Sequence, residues 1–124
     1  MMVKCSLVSV VDDDQSVRES LPDLLVEFGF MVQVFSSAEA FLASDRVDET
    51  SCLILDVAMP GMTGPELQRA LAARGKTIPI IFITAHRDEM VCRSVLQQGA
   101  VACLIKPFSD TALLDAINTA LNLG

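Results

Sequence analysis

The segment CLILDVAMPGMTG, residues 52–64, has the pattern of a buried β-strand that ends in a single charge. Its apolar run stops at Leu55, Asp56 follows, and a Met-Pro-Gly sequence then predicts a turn. Asp56 has two interpretations. It marks the point where the strand leaves the core, or it holds a negative charge at a fixed point for chemistry.

Apolar runs of this kind alternate with helical patterns five times along the chain. The runs are residues 5–11, 30–35, 52–55, 78–83 and 101–105. Apolar residues at helical spacing follow each run, as Val17, Leu21 and Leu24 do after the first. The pattern predicts an α/β fold: a doubly wound, flavodoxin-like sheet of five parallel strands in the order 2-1-3-4-5, with five helices.

Short polar residues indicate where the helices begin. Ser36 with Glu39, and Thr63 with Glu66, predict capping boxes at the starts of the second and third helices. Pro22 falls inside the first helical pattern, where it removes a backbone donor and should bend the helix.

Length and composition predict one domain that spans residues 1–124. The chain is 52% apolar, yet no run approaches the roughly 18 apolar residues of a transmembrane helix. The N-terminus lacks the pattern of a signal peptide, so we expect a soluble, cytoplasmic protein that does not contact a membrane. The net charge of −7 disfavours direct binding of nucleic acid by this domain.

Charged and polar residues stand where four of the predicted strands end. Asp12-Asp13-Asp14 follow the first strand, Asp56 the third, Thr84 the fourth and Lys106 the fifth. These ends share one edge of a parallel sheet, so the side chains should meet in one cleft. Two carboxylates about 5 Å apart repel by roughly 3 kcal/mol at an effective dielectric near 20, and Mg²⁺ would remove that cost. The combination suits phosphoryl transfer with Asp56 as nucleophile.

Each of these residues also has an ordinary structural interpretation. Asp14 is favoured as the cap of the first helix, Thr84 alone is more often a helix cap, and Lys106 alone is more often a solvated surface charge. The coincidence of all of them at one sheet edge favours the chemical interpretation.

The motifs V-V-D-D (10–13), L-D-V-x-M-P-G-M-x-G (55–64), F-I-T-A (82–85) and K-P-F (106–108) resemble the receiver domains of two-component response regulators. The resemblance spans nearly the whole chain. The segments FSSAEAFL, IFITAH and GAVACLIKPF are most similar to the subfamily with a helix-turn-helix output domain, which includes nitrogen-fixation regulators.

The resemblance implies that Asp56 accepts a phosphoryl group from a sensor histidine kinase. It implies that Asp13, Asp56 and the main-chain carbonyl of Ala58 bind Mg²⁺, with Asp12 acting through water. Ala58 also stands at a rim position where many relatives carry a polar side chain. The receiver would catalyse only its own phosphorylation and dephosphorylation, and would control transcription through an output domain outside this chain.

The resemblance further implies that Thr84 and Lys106 contact the phosphoryl group and that the Lys106–Pro107 peptide bond is cis. His86, the only histidine, would lie at the rim of the site. Cys103 replaces an aromatic residue whose rotamer reports the switch in relatives. The subfamily also implies dimerisation on phosphorylation through the fourth helix and fifth strand.

The four cysteines are Cys5, Cys52, Cys92 and Cys103, and no two form a C-x-x-C pair. We expect reduced thiols that serve as small apolar side chains, with a redox-sensing role for Cys103 as the alternative.

Other classes of protein remain as rivals. A stand-alone single-domain response regulator would act by protein–protein contact. A phosphohydrolase with an aspartyl nucleophile would usually carry a second aspartate where Ala58 stands. A flavodoxin-like cofactor binder would need a phosphate-binding loop after the first strand, where three aspartates would repel a phosphate. A degenerate receiver would lack part of the set that includes Asp56, Thr84 and Lys106.

Overall fold

The computed structural model of the chain describes residues 6–85 and 89–123. Its elements, in chain order, are β1 (Leu7–Val11), α1 (Gln15–Glu27), β2 (Met31–Phe35), α2 (Ala38–Ala43), β3 (Cys52–Asp56), α3 (Gly64–Ala73), β4 (Ile80–Thr84), α4 (Glu89–Gln97), β5 (Ala102–Ile105) and α5 (Asp110–Leu123). All strand pairs are parallel and the sheet order is β2-β1-β3-β4-β5. The predicted fold class and topology are confirmed.

Alternate residues of the central strands enter two separate cores, one on each face of the sheet. Val10 and Ile54 pack with α1 and α5, whereas Val11 and Leu55 pack with α2, α3 and α4. β1, β3 and β4 are buried along their whole length, as the continuous apolar runs predict. β2 and β5 lie at the sheet edges and are only partly buried.

The predicted helix starts are confirmed with one correction. Thr63 and Glu66 form the reciprocal capping box of α3. α2 is capped by Ser37 rather than Ser36: the Ser37 hydroxyl accepts from the Ala40 N–H at 3.0 Å. Glu39 accepts instead from the Met62 N–H at 3.3 Å, which links α2 to the loop after β3.

Pro22 lies inside α1, as the sequence predicts.

Within the described residues, 6–85 and 89–123, no helix is long and apolar enough to span a bilayer.

The start of α3 lies against the end of β3. The Gly64 N–H donates to the Val57 carbonyl at 3.0 Å, which closes the loop between the two elements. A Cβ at Gly64 would collide with the carbonyl oxygen of Asp56 and come within 3.0 Å of Cε1 of Phe82. Glycine is therefore required here by close backbone approach, and the same contact holds the main chain of Asp56 in place.

We predict that Gly64→Ala lowers the free energy of unfolding by about 3 kcal/mol, because the backbone at Asp56 must move to admit the methyl group. Gly75→Ala is the matched control. Gly75 has φ +73° and open space around it, so the change should cost about 1–2 kcal/mol from backbone strain alone.

Urea unfolding measures both costs, and amide chemical shifts report where the backbone moves. Gly64→Ala should perturb Asp56 and Phe82, and Gly75→Ala should not. Equal costs with no shift at Asp56 would contradict the packing account.

Candidate acidic site at the carboxyl edge of the sheet

Three carboxylates converge where β1 and β3 end. Asp12, Asp13 and Asp56 each place an oxygen within 4.8 Å of the others. The parallel register pairs Val11 with Leu55, so the next residues along the two strands, Asp12 and Asp56, face each other across the ladder. The cluster is therefore a direct consequence of strand pairing.

Asp12 is completely buried and firmly held. Its Oδ1 accepts the Asp14 N–H at 2.9 Å, and its Oδ2 accepts from Nζ of Lys106 at 3.0 Å. Its main-chain carbonyl accepts from the Arg18 guanidinium at 2.9 Å. Asp13, by contrast, is exposed at the mouth of the site. One carboxylate thus has a fixed position inside the protein and its neighbour faces solvent.

Asp56 is nearly buried and under-compensated in charge. Only 6% of the residue is exposed, and Nζ of Lys106 lies 4.0 Å from its Oδ1. Burial first and the nearby charge of Asp12 second raise the pKa of Asp56, Lys106 opposes both effects, and the resulting pKa is about 7. A cation or a second positive group would stabilise this carboxylate in its ionised form.

Thr84 and Lys106 stand at the ends of β4 and β5. Thr84 is 4% exposed, and its main-chain carbonyl accepts the Lys106 N–H at 2.8 Å. The Lys106–Pro107 peptide bond is cis, as predicted. Because Thr84 and Lys106 are joined through the backbone, their positions at this edge of the sheet are linked.

Of the remaining predicted positions, the structure describes Ala58 but not His86. Ala58 is exposed in the loop after β3. His86 lies outside the described residues.

Arg18 was missed by sequence reasoning, although its bond to the Asp12 carbonyl supports the site. Its position four residues after Asp14, the residue that caps α1, is the signal that was available, since such a side chain points back over the first turn.

The expectation of reduced thiols is wrong for two of the cysteines. Cys92 on α4 and Cys103 on β5 form a disulfide with their Cα atoms 5.6 Å apart, within the range that disulfides span. Their separation of 11 residues did not reveal the pairing, because it depends on how α4 is rotated against β5. Cys52 is a buried free thiol, as expected.

Comparison with known proteins agrees with this geometry. The family model described as the response regulator receiver domain matches residues 8–118. The chain belongs to the response regulator receiver domain family. Receiver domains act as phosphorylation-controlled signalling switches, so the predicted family and general function are confirmed.

The relatives of this receiver domain are longer regulators. The response regulator protein TmoT of Ectopseudomonas mendocina is 46% identical over 96% of this chain and 54% of its own length. The transcriptional regulatory protein FixJ of Rhizobium meliloti is 42% identical over 91% of this chain and 55% of its own length. The chain therefore spans about half the length of the curated relatives that it matches.

Solved structures match the fold closely. The response regulator StyR superposes with a TM-score of 0.89 at 48% identity, covering 97% of this chain and 61% of that one. FixJ-N superposes with a TM-score of 0.87 at 38% identity, covering 97% of this chain and 96% of that one.

We predict that Asp56→Asn stabilises the receiver by about 2–4 kcal/mol at pH 8 without divalent metal. The native pKa of about 7 exceeds the unfolded value of about 4. Between these values the native state binds the extra proton, so the stability of the unsubstituted protein rises as pH falls. The advantage of asparagine should therefore shrink as pH falls from about 7 to about 4.

Urea unfolding at several pH values measures this difference. Asp23→Asn, at an exposed position on α1, is the control and should change stability by less than about 0.5 kcal/mol. A gain from Asp56→Asn that is equally large at pH 4 and pH 8 would exclude the ionised Asp56 carboxylate as its cause.

Proposed function

We propose that Asp56 of this receiver accepts a phosphoryl group from the phosphohistidine of a sensor histidine kinase. The observation that supports this most strongly is the placement of a nearly buried carboxylate between two other carboxylates and a lysine ammonium. Such a group is poorly compensated in the resting protein, so a partner that brings positive charge gains binding energy. Phosphoryl transfer depends largely on positioning and on neutralising charge.

The carboxylate cluster fits a Mg²⁺ ion. Hard oxygen donors are the ligands that this ion prefers, and it retains several waters in most protein sites. Asp13 and Asp56 would bind the ion directly, together with the main-chain carbonyl of Ala58. Both carboxylate oxygens of Asp12 already accept protein hydrogen bonds, which favours an indirect role through water. When bound, the ion supplies charge neutralisation at the acceptor carboxylate.

Lys106 and Thr84 would orient the phosphoryl group. Nζ of Lys106 binds Asp12 at 3.0 Å and lies 4.0 Å from Asp56, so a small movement would bring it to a phosphoryl oxygen. The Thr84 hydroxyl would donate a hydrogen bond to another oxygen of the phosphoryl group. Because the Lys106 N–H donates a hydrogen bond to the Thr84 carbonyl, a movement of the backbone at the end of β4 would also shift the end of β5, and the reverse.

We propose that the unit acts in the cytoplasm as a single receiver domain over residues 1–124, without binding nucleic acid directly. An output domain outside this chain would control transcription, in keeping with the longer relatives. A stand-alone regulator that acts by protein contact is the second candidate.

Phosphorylation would promote a homodimer through α4 and β5. These two elements carry exposed apolar side chains: Met90 is 81% exposed, Leu96 is 44% exposed and Ile105 is 37% exposed. A partner that covered them would remove apolar surface from water.

We predict that Mg²⁺ stabilises the receiver by about 1.4 kcal/mol at ten times its dissociation constant, by mass action. Thermal melting at pH 8 with increasing Mg²⁺ measures this gain. Asp13→Asn should remove most of the response, because Asp13 is an exposed direct ligand in this proposal. Asp23→Asn should retain it. No stabilisation at millimolar Mg²⁺ would refute the metal site.

Phosphorylation itself is tested with acetyl phosphate and Mg²⁺, followed by intact mass measurement. We expect one hydroxylamine-labile phosphoryl group on the unsubstituted protein and on Asp23→Asn, and none on Asp56→Asn. Labelling of Asp56→Asn at the same level would exclude Asp56 as the acceptor. Sustained release of phosphate from unrelated phosphomonoesters would instead favour the phosphohydrolase alternative.

A further inference from the structure

The disulfide between Cys92 and Cys103 has no part in the phosphoryl chemistry, yet it joins the two elements next to the site. Cys92 lies in the first turns of α4 and Cys103 lies within β5. Both residues are half-buried, so the bond is within reach of solvent. Cys92 also lines an open groove of about 500 Å³ together with Glu89, Arg93, Leu96 and Gln97.

The bond closes a ring of residues 92–103, which lies in the chain between Thr84 and Lys106, the residues that would contact the phosphoryl group. Cys103 pairs in register with Phe82, two residues before Thr84, and Lys106 follows Cys103 by three residues. Cys92 follows Thr84 by eight residues. The strand ladder therefore joins β5 to β4, and the covalent bond joins β5 to α4.

We propose that Cys92–Cys103 is a reversible thiol–disulfide exchange site for a low-molecular-weight thiol, and that its redox state sets how freely α4 moves. The groove has the volume of a small-molecule site, and Cys92 is one of the residues that line it. The link between α4 movement and phosphorylation rests on the proposed function of Asp56; the exchange site itself does not.

The exchange is balanced in atoms and electrons. A thiolate of the small thiol attacks Sγ of Cys92, and Cys103 leaves as a thiolate that takes a proton from water. A second thiolate attacks the mixed disulfide, forming the small disulfide and releasing Cys92, which is protonated in turn. The protein disulfide gains two electrons and two protons, and two small thiols are oxidised to one disulfide. An oxidised small disulfide drives the reverse sequence.

Cys52 does not compete in this exchange. It is completely buried, and burial raises the pKa of its thiol to about 12, so no thiolate is present to attack the bond. Among the described residues no third thiol therefore enters the exchange, and apart from the transient mixed disulfide the pair is either bonded or fully reduced.

The direction of the effect follows from the geometry. The bonded state holds the first turns of α4 against β5, whereas the reduced state leaves the helix held by side-chain packing alone. The reduced receiver should therefore show faster amide exchange in α4 and a larger change there on phosphorylation.

The test equilibrates the protein in glutathione buffers of increasing reduced-to-oxidised ratio, alkylates it after denaturation and counts the added groups by mass. We expect two groups in the oxidised protein and four in the reduced protein, since the chain has four cysteines, with the last two appearing together. Cys52→Ala is the control; it should lose one group at every ratio and keep the transition. A pair that stays bonded, or stays reduced, across all ratios would overturn the exchange site.

Hydrogen exchange on the same samples tests the consequence. Amides of residues 89–97 should exchange at least fivefold faster in the reduced protein, and the double substitution Cys92→Ser with Cys103→Ser should match the reduced rate at every ratio. Equal rates in both states would overturn the control of α4. Failure of acetyl phosphate to modify either state would count against Asp56 as acceptor and would remove the link to phosphorylation, while the thiol count decides the exchange site separately.

Discussion

The burial of two adjacent carboxylates, those of Asp12 and Asp56, is the constraint on which the candidate site depends. Parallel pairing of β1 and β3 sets the two carboxylates side by side, and their main chains cannot separate without disrupting the register. Lys106 binds the first at 3.0 Å and stands 4.0 Å from the second. One ammonium for two buried carboxylates, with Asp13 close by, leaves a deficit of positive charge that burial magnifies.

The surrounding fold holds this deficit in place. Gly64 brings the start of α3 into contact with the Asp56 carbonyl, and Arg18 binds the Asp12 carbonyl from α1. On the other side, the Lys106 N–H binds the Thr84 carbonyl next to a cis peptide bond. Because the backbones of Asp12, Asp56 and Lys106 are each held by these contacts, these three residues cannot separate through a simple loop movement. A positively charged ligand would relieve the repulsion between the carboxylates, and this relief would favour its binding.

The sequence predicted the sheet and the residues of this cluster for one reason. In a parallel sheet the carboxyl ends of all strands share one edge, so residues such as Asp56 and Lys106 can be brought together without knowing any helix position. The strands β1, β3 and β4 could also be predicted from their continuous apolar runs, because both faces of each strand are covered. The partial exposure of β2 and β5 follows from their edge positions, which the runs themselves do not show.

Features that depend on helix rotation were not predictable in the same way. The disulfide requires Cys92 on α4 to face Cys103 on β5, and no periodicity in a single sequence sets that angle. The hydrogen bond from Arg18 likewise depends on how α1 lies over the end of β1. The predicted cap of α2, Ser36, differs by one residue from the observed cap, Ser37. Both residues carry a hydroxyl group, and only the backbone path selects between them.

The most direct test of the central claim is a pH titration of the Asp56 carboxyl carbon by ¹³C NMR, with and without Mg²⁺. The account predicts a pKa near 7 in the metal-free protein, caused first by burial and then by Asp12. It predicts a fall to the ordinary range or below, about 4 or less, when saturating Mg²⁺ supplies the missing positive charge. A metal-free Asp56 that already titrates near 4, or one whose titration does not respond to Mg²⁺, would contradict the claim that a charge deficit at this edge of the sheet prepares the receiver for its ligand.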